Sequence, residues 1–127
     1  MAFEFKIAED GIVYMTLHGR ISRADLHRIV RQMGEIEKSA KTSPDRLTDL
    51  THIDGLDFEA GAIMDIAFIR REAPLKNKVK SAIVAPTSLL YGFARMFQTL
   101  NDNPCTTVQI FPDKKGAMAW LADGKKI

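Results

Sequence analysis

One cysteine, Cys105, occurs in 127 residues. A lone cysteine excludes an intramolecular disulfide and any Cys-based zinc spacing, and it suits a reducing cytoplasm. No run of about 18 apolar residues exists, so no segment is expected to span a membrane. The opening residues alternate apolar with charged ones and lack a signal-peptide core, so a cytoplasmic location is expected. Charge of one sign is also in short supply. The 18 Lys and Arg against 16 Asp and Glu leave a formal +2. That is too little for a strong pull on nucleic acid or anionic lipid. Gly-rich phosphate loops and Walker or Rossmann fingerprints are missing, and with them the usual nucleotide cofactors. The histidines His18, His27 and His52 are scattered, with no pair one helical turn apart, so no metal site is expected. Cys105 has no cationic neighbour in sequence and reads as an inert, buried thiol.

What remains is ordinary globular material. Apolar residues make up 46% and charged residues 27%, enough for one core and one domain over residues 1–127. No repeat, low-complexity tract or linker divides it.

Phe3, Phe5 and Ile7 alternate with Glu4, Lys6 and Ala8, the period-2 pattern of a half-buried strand. Glu9-Asp10-Gly11 is turn material, and Ile12 to Leu17 reads as the second arm of a hairpin. Ser22 is a helix cap with Asp25 at the capping-box position. Leu26, Ile29, Val30, Met33 and Ile36 then form one apolar stripe, fading before Pro44. Arg46 to Leu50 is a short strand, Phe58 to Ala73 a helix, and Val79 to Ala85 a buried strand. Pro86-Thr87-Ser88 opens a helix reaching about Asn101. Thr106 to Phe111 is a fifth strand, and Pro112-Asp113 opens a last helix. The order ββαβαβαβα predicts an α/β fold: a five-stranded mixed sheet with four helices packed on it.

The segment Asp49-Leu50-Thr51-His52-Ile53-Asp54-Gly55-Leu56-Asp57-Phe58-Glu59 reads as a strand running into an acidic turn before a helix. It would set Thr51, Asp54, Asp57 and Glu59 at a carboxyl strand end, where α/β sheets usually bind their partners. Asp57 is placed as the cap of the helix that follows.

This order, with these lengths, resembles the STAS family, the fold of bacterial anti-sigma-factor antagonists (SpoIIAA-like proteins). Asp49-Leu50-Thr51-His52-Ile53 matches the first half of the family's switch motif, Asp-Leu-Ser-x-Val. Asp57 falls where the aspartate of the later Asp-Ser-Ser-Gly stands. Phe58 and Glu59 replace the two serines, and the second of these is the one a partner kinase phosphorylates in the family. The second half, from Ile83 to Pro86, Leu89 to Phe97, Val108 to Phe111 and Ala117 to Leu121, resembles the STAS/SEC14-like branch of that superfamily. The resemblance implies a single STAS-like domain acting in bacteria as a regulatory, protein-binding module. Phosphoserine carries about −1.5 to −2 charges and three acceptor oxygens. A glutamate supplies about one charge, so serine phosphorylation would not switch this site.

Two further surfaces stand out. On the second helix, Phe58, Ala62, Ile66, Ile69 and Ala73 should cover the sheet. Met64 and Phe68 form an (i, i+4) pair on roughly the opposite side, which a surface helix normally keeps polar. They suit a docking ridge for a protein or a second copy of the chain, or are covered by loops within the monomer. On the third helix, Leu89, Phe93, Met96 and Leu100 form the expected core stripe. Leu90, Ala94 and Phe97 widen it. That breadth suits a deeply packed helix, a dimer seam or a pocket for a lipid-like ligand. Such a pocket should exceed roughly 300 Å³.

Thr87 and Ser88 read as helix caps, and Arg23, His27, Arg31 and Lys38 as a solvated polar side of the first helix. His52 with Asp54, Asp57 and Glu59 is the best catalytic grouping, but such residues more often make turns and caps. The expectation is therefore a non-enzymatic interaction module without cofactor. Its partner-binding residues are Thr51, Asp54, Asp57, Phe58, Glu59, Met64 and Phe68. The alternative is an apolar-ligand domain using Leu90, Phe93, Ala94, Met96 and Phe97.

Overall fold

A computed structural model describes residues 2–123. The elements run β1 (Phe3–Ile7), β2 (Val13–Ser22), α1 (Arg23–Ser39), β3 (Arg46–Asp57), α2 (Ala60–Arg71), β4 (Val79–Val84), α3 (Ser88–Leu100), β5 (Thr106–Phe111) and α4 (Lys114–Ala122). The expected order ββαβαβαβα and the mixed sheet are both present. β1 pairs antiparallel with β2, and β2 to β5 are parallel.

The strands lie in sheet order β1-β2-β3-β4-β5. Successive parallel strands joined to immediate neighbours by right-handed crossovers must carry their helices on one face. Accordingly α1, α2 and α3 share a face, where Met15, Ile21, Leu26, Val30, Ile63 and Ile66 make the main core. The alternate residues of the same strands point the other way. There Leu47, Ala82 and Val84 meet Ala117 and Leu121 of α4.

Local signals explain most boundaries. Ser22 caps α1: its hydroxyl accepts from the Asp25 amide at 3.1 Å, and the Asp25 carboxylate accepts from the Ser22 amide at 2.9 Å. Asp113 accepts from the Gly116 amide at 2.9 Å and starts α4. The turn before β2 needs Gly11, whose φ of +82° favours a residue without a side chain.

Two strands are longer than expected. β2 continues past Leu17 to Ser22, and β3 past Leu50 to Asp57. Polar and glycine-containing residues hid these extensions, because they pair with each other and not with the rest of the sheet. β3 meets β4 only over Arg46 to Asp49. Beyond that point β2 and β3 run on as a parallel two-stranded ribbon. Its register slips twice, between Thr16 and His18 and between Gly19 and Arg20. Each slip places an extra residue in β3, the second being Asp54, and such bulges bend and twist a strand. Gly19 takes φ +73° at the second slip.

Candidate functional site

The segment from Thr51 to Glu59 is therefore strand, not turn, up to Asp57. It still lies beyond the paired part of the sheet, at the carboxyl end of β3. Thr51, Asp54, Asp57 and Glu59 are all exposed and Phe58 is half-buried. The ribbon leaves the backbone of β3 from Leu50 onward with β2 as its only sheet neighbour.

Each acidic residue has a different environment. Asp49 is buried and accepts from the Thr51 amide at 2.9 Å and from the Thr51 hydroxyl at 2.6 Å. Thr51 is thus held by its own strand. Asp57 does not cap α2, contrary to expectation. Its carboxylate accepts twice from Arg20 on β2, at 3.1 and 2.5 Å. That hydrogen bonding, with the charge of Arg20, holds the Asp57 carboxyl below its ordinary range. Paired strands bring Ser22 opposite Asp57 and Arg20 opposite Gly55, so the arginine reaches the aspartate across the ribbon. The Arg20 side chain lies where a Cβ on Gly55 would stand.

Glu59 takes the N-cap position of α2, and its side chain makes no capping bond. Its carboxylate stands free at the positive end of the helix, where negative charge is favourable. Asp65, one turn into α2, is bonded by Arg23 at the start of α1. His52 is exposed, and its nearest acid is Asp49 at 3.9 Å. The four residues of the catalytic grouping do not converge in a cleft. Among the described residues no group of three His, Cys, Asp or Glu lies close enough to hold a metal. Cys105 is half-buried, more open than expected.

On α2, Met64 and Phe68 are 41% and 42% exposed, as their position in the helix suggests. The Arg71 guanidinium sits 5.4 Å from the centre of the Phe68 ring. The core face differs from expectation. Ala62, Ile63, Ile66, Ala67 and Arg70 are buried, whereas Ile69 is 48% exposed. The helix begins at Ala60, two residues after Phe58, and its inward stripe is centred on Ile63, Ile66, Ala67 and Arg70. Ile69 is thus an exposed large apolar side chain, as Met64 and Phe68 are.

On α3 the inward stripe also shifts. Leu90 and Ala94 are buried, Phe93, Met96, Phe97 and Leu100 are half-buried, and Leu89 is 62% exposed. Thr87 caps the helix, accepting from the Leu90 amide at 3.3 Å, so Leu89 falls in an open first turn. Leu90, Phe93, Ala94 and Phe97 line a cavity of about 150 Å³ between the sheet and helices α1 to α3, and Met96 does not. The Phe58 and Phe93 rings meet edge-on at 5.5 Å beside it.

A buried ionic cluster went unnoticed in the sequence. Glu37 at the end of α1 accepts from Arg46 at 2.6 Å and from Arg70 at 2.8 and 2.5 Å. All three residues are under 10% exposed. Burial alone would raise the Glu37 carboxyl, but the hydrogen bonds and charge of Arg70, then Arg46, outweigh it and hold it below 4.5. Periodicity carried the signal. Glu37 continues the stripe Leu26, Val30, Met33 by one more turn, and Arg70 continues Ile63, Ile66 by one more.

No family model and no curated protein matches the chain. Among solved structures it is similar to an uncharacterized protein of the DUF3478 family with a SpoIIAA-like fold, from Shewanella loihica PV-4. The two share 20% sequence identity at a TM-score of 0.62, over 94% of this chain and 92% of that one. An identity this low carries architecture and not activity. The chain has a SpoIIAA-like fold.

Proposed function

We propose that this domain is a non-enzymatic protein-interaction module. It docks a regulatory protein partner through the outer face of α2 and the adjoining acidic rim of the β2–β3 ribbon. The observation that carries this reading is the exposure of Met64 and Phe68, two large apolar side chains one turn apart on the same helix. Exposed Met and Phe side chains are enriched at the centres of protein interfaces. Two side chains supply only part of the ~800 Å² per partner of a standard interface. The rim must contribute the remainder, through Asp54 and Glu59 toward a basic surface and through Phe58 at the junction. In STAS proteins, which this chain resembles, the corresponding helix neighbours the partner surface.

Glu59 gives this reading a further feature. A fixed carboxylate at the helix start takes the place of a group that STAS proteins modify. Docking is then constitutive toward a partner that prefers negative charge there. A Glu59→Ser chain incubated with host extract and ATP tests this point: phosphorylation of Ser at that position restores the family's switch, and its failure leaves the motif without regulatory content.

The docking reading is tested by native mass spectrometry of the chain purified from its host, beside a Met64→Ser, Phe68→Ser double variant. A stoichiometric partner or second copy held by the parent chain and lost by the folded variant supports it. Equal retention by both overturns it. The apolar-ligand alternative keeps one observation, the cavity under α3. At about 150 Å³ it is half the ~300 Å³ at which drug-sized pockets begin.

A further inference from the structure

The sheet has two outer edges, β1 and β5, and their backbones are used differently. Beside β5, the Val79 amide donates to the Cys105 carbonyl and the Ala85 amide to the Phe111 carbonyl. The odd-numbered residues of β5 therefore turn their backbone groups to β4, and Thr106, Val108 and Ile110 turn theirs outward. Part of that outward row is already engaged. The Thr106 amide donates to the Asn103 carbonyl at 3.0 Å, and the Val108 carbonyl accepts from the Gln98 side chain at 2.7 Å.

β1 has no such cover. The His18 amide donates to the Ala2 carbonyl at 2.8 Å, and the Ala8 amide to the Ile12 carbonyl at 3.1 Å. Bonded and non-bonded residue pairs alternate along an antiparallel ladder, so these two bonds fix its phase. Glu4 and Lys6 turn their backbone groups to β2, and Phe3, Phe5 and Ile7 turn theirs outward. Among the described residues the outward groups have no backbone partner. Side chains alternate in step. Phe3 and Phe5 pack into the core under the helices, and Ile7 continues their row with 61% exposure. Glu4 and Lys6 stand on the other face, both exposed, with His18 of β2 3.6 Å from Glu4.

This strand is complementary to itself. Turned antiparallel about Phe5, it sets Phe3 against the partner's Ile7, Glu4 against the partner's Lys6, and Phe5 against the partner's Phe5. The residues with outward backbone groups then face each other, and no bond to β2 is disturbed. Glu4 and Lys6 fall at the intervening non-bonded positions, where side chains approach most closely. Opposite-charge and aromatic cross-strand pairs favour pairing, and like charges oppose it. A slip of two residues either way sets Glu4 against the partner's Glu4, or Lys6 against the partner's Lys6. One register is therefore singled out.

We propose that β1 is a self-association edge. Two copies of this chain pair β1 against β1 about a twofold axis at Phe5, and their sheets join into one. The contact is isologous, so each Glu4 meets a Lys6 and the contact closes at two copies. A short strand supplies only part of the ~800 Å² per partner of a standard interface. The dimer is accordingly weak, with a dissociation constant on the order of 0.1 mM. At the micromolar concentrations of native mass spectrometry this edge leaves the chain monomeric, so the docking surface on α2 is tested separately. Met64 and Phe68 take no part in the pairing.

Sedimentation equilibrium of the full chain, from micromolar to millimolar concentration, is expected to show a monomer passing to a dimer. Lys6→Glu and Glu4→Lys each create two like-charge contacts and should weaken the dimer by about tenfold. The chain carrying both changes should recover it, and an equimolar mixture of the two single variants should associate more tightly than either alone. The Met64→Ser, Phe68→Ser chain should associate as the parent does. Residue-resolved hydrogen exchange reads the register: amides of Phe3, Phe5 and Ile7 should slow as concentration rises, while those of Glu4 and Lys6 are protected throughout. The substituted side chains are exposed, and the spread of amide resonances identifies folded variants. A parent chain that stays monomeric at millimolar concentration overturns the proposal. So does a dimer indifferent to both single changes, or a folded double variant that fails to recover association.

Discussion

Glu37 shows most directly how single residues hold this molecule together. One carboxylate serves two guanidinium groups in a region almost closed to water. Burial lowers the Arg46 pKa, and the charge and hydrogen bond of Glu37 offset only part of that. Removing the shared partner strands two buried cations, so Glu37→Gln is expected to cost about 3–5 kcal/mol in urea unfolding. The same group sets an acid limit. Its folded pKa lies below the ordinary 4.5, so its stabilisation is complete above that value and is lost as pH falls through the lowered folded value. A titration of unfolding free energy should fall below about pH 4.5 in the parent chain. The slope there should be shallower in a Glu37→Leu chain that has no carboxyl to protonate. Glu59 makes the opposite kind of contribution. It occupies a cap position without capping, so Glu59→Asp, which retains the charge and shortens the reach, should raise stability by roughly 0.5–1 kcal/mol.

At the scale of elements, the β2–β3 ribbon is the least conventional part of the fold. Two bulges and a cross-strand ion pair, Arg20 to Asp57, organise residues that no third strand supports. Gly55 leaves room for the Arg20 side chain to lie across it. Gly55→Ala should push Arg20 off Asp57, and the Asp57 carboxyl should then titrate nearer its ordinary value, read by carboxyl-detected NMR. Helix α2 joins this ribbon to the interior through opposite faces. Its outward Met64 and Phe68 are 41% and 42% exposed, so changing both to serine should alter the unfolding midpoint far less than a core change does. An equally conservative change on the inward face, Ile66→Ala, should cost about 2–5 kcal/mol.

These elements also mark how much could be read from residues alone. Capping signals were unambiguous: Ser22 with Asp25, Thr87 and Asp113 all start helices by bonds their side chains are built to make. The strands with alternating or continuous apolar residues were equally plain. The extensions of β2 and β3 were not, because a bulge breaks the period-2 pattern and Gly19, Asp54 and Gly55 carry turn chemistry in the sequence. The cap of α2 departs from expectation for a related reason. Asp57 is the better capping residue by type, but strand pairing carries the chain past it and gives its carboxylate to Arg20. Helical periodicity turns Glu37 and Arg70 inward, but their pairing with each other and with Arg46 spans 33 and 9 residues, a distance over which local pattern does not match partners.

Considered whole, the molecule packs the two faces of its sheet differently. One side of the sheet is closed by α4, through Leu47, Val84 and Leu121. The other carries three helices over a core with a void inside it. The surface proposed for a protein partner lies outside that layer, where α2 and the ribbon end. No helix among the described residues is long and apolar enough to cross a membrane. Hydrogen exchange on the chain, free and in the complex isolated with it, tests the docking account most directly. Amides of 51–71 should slow on complex formation, while those of α4 and β5 keep their free rates. Protection confined to α4 and the β5 edge, with α2 exchanging as in the free chain, would contradict it.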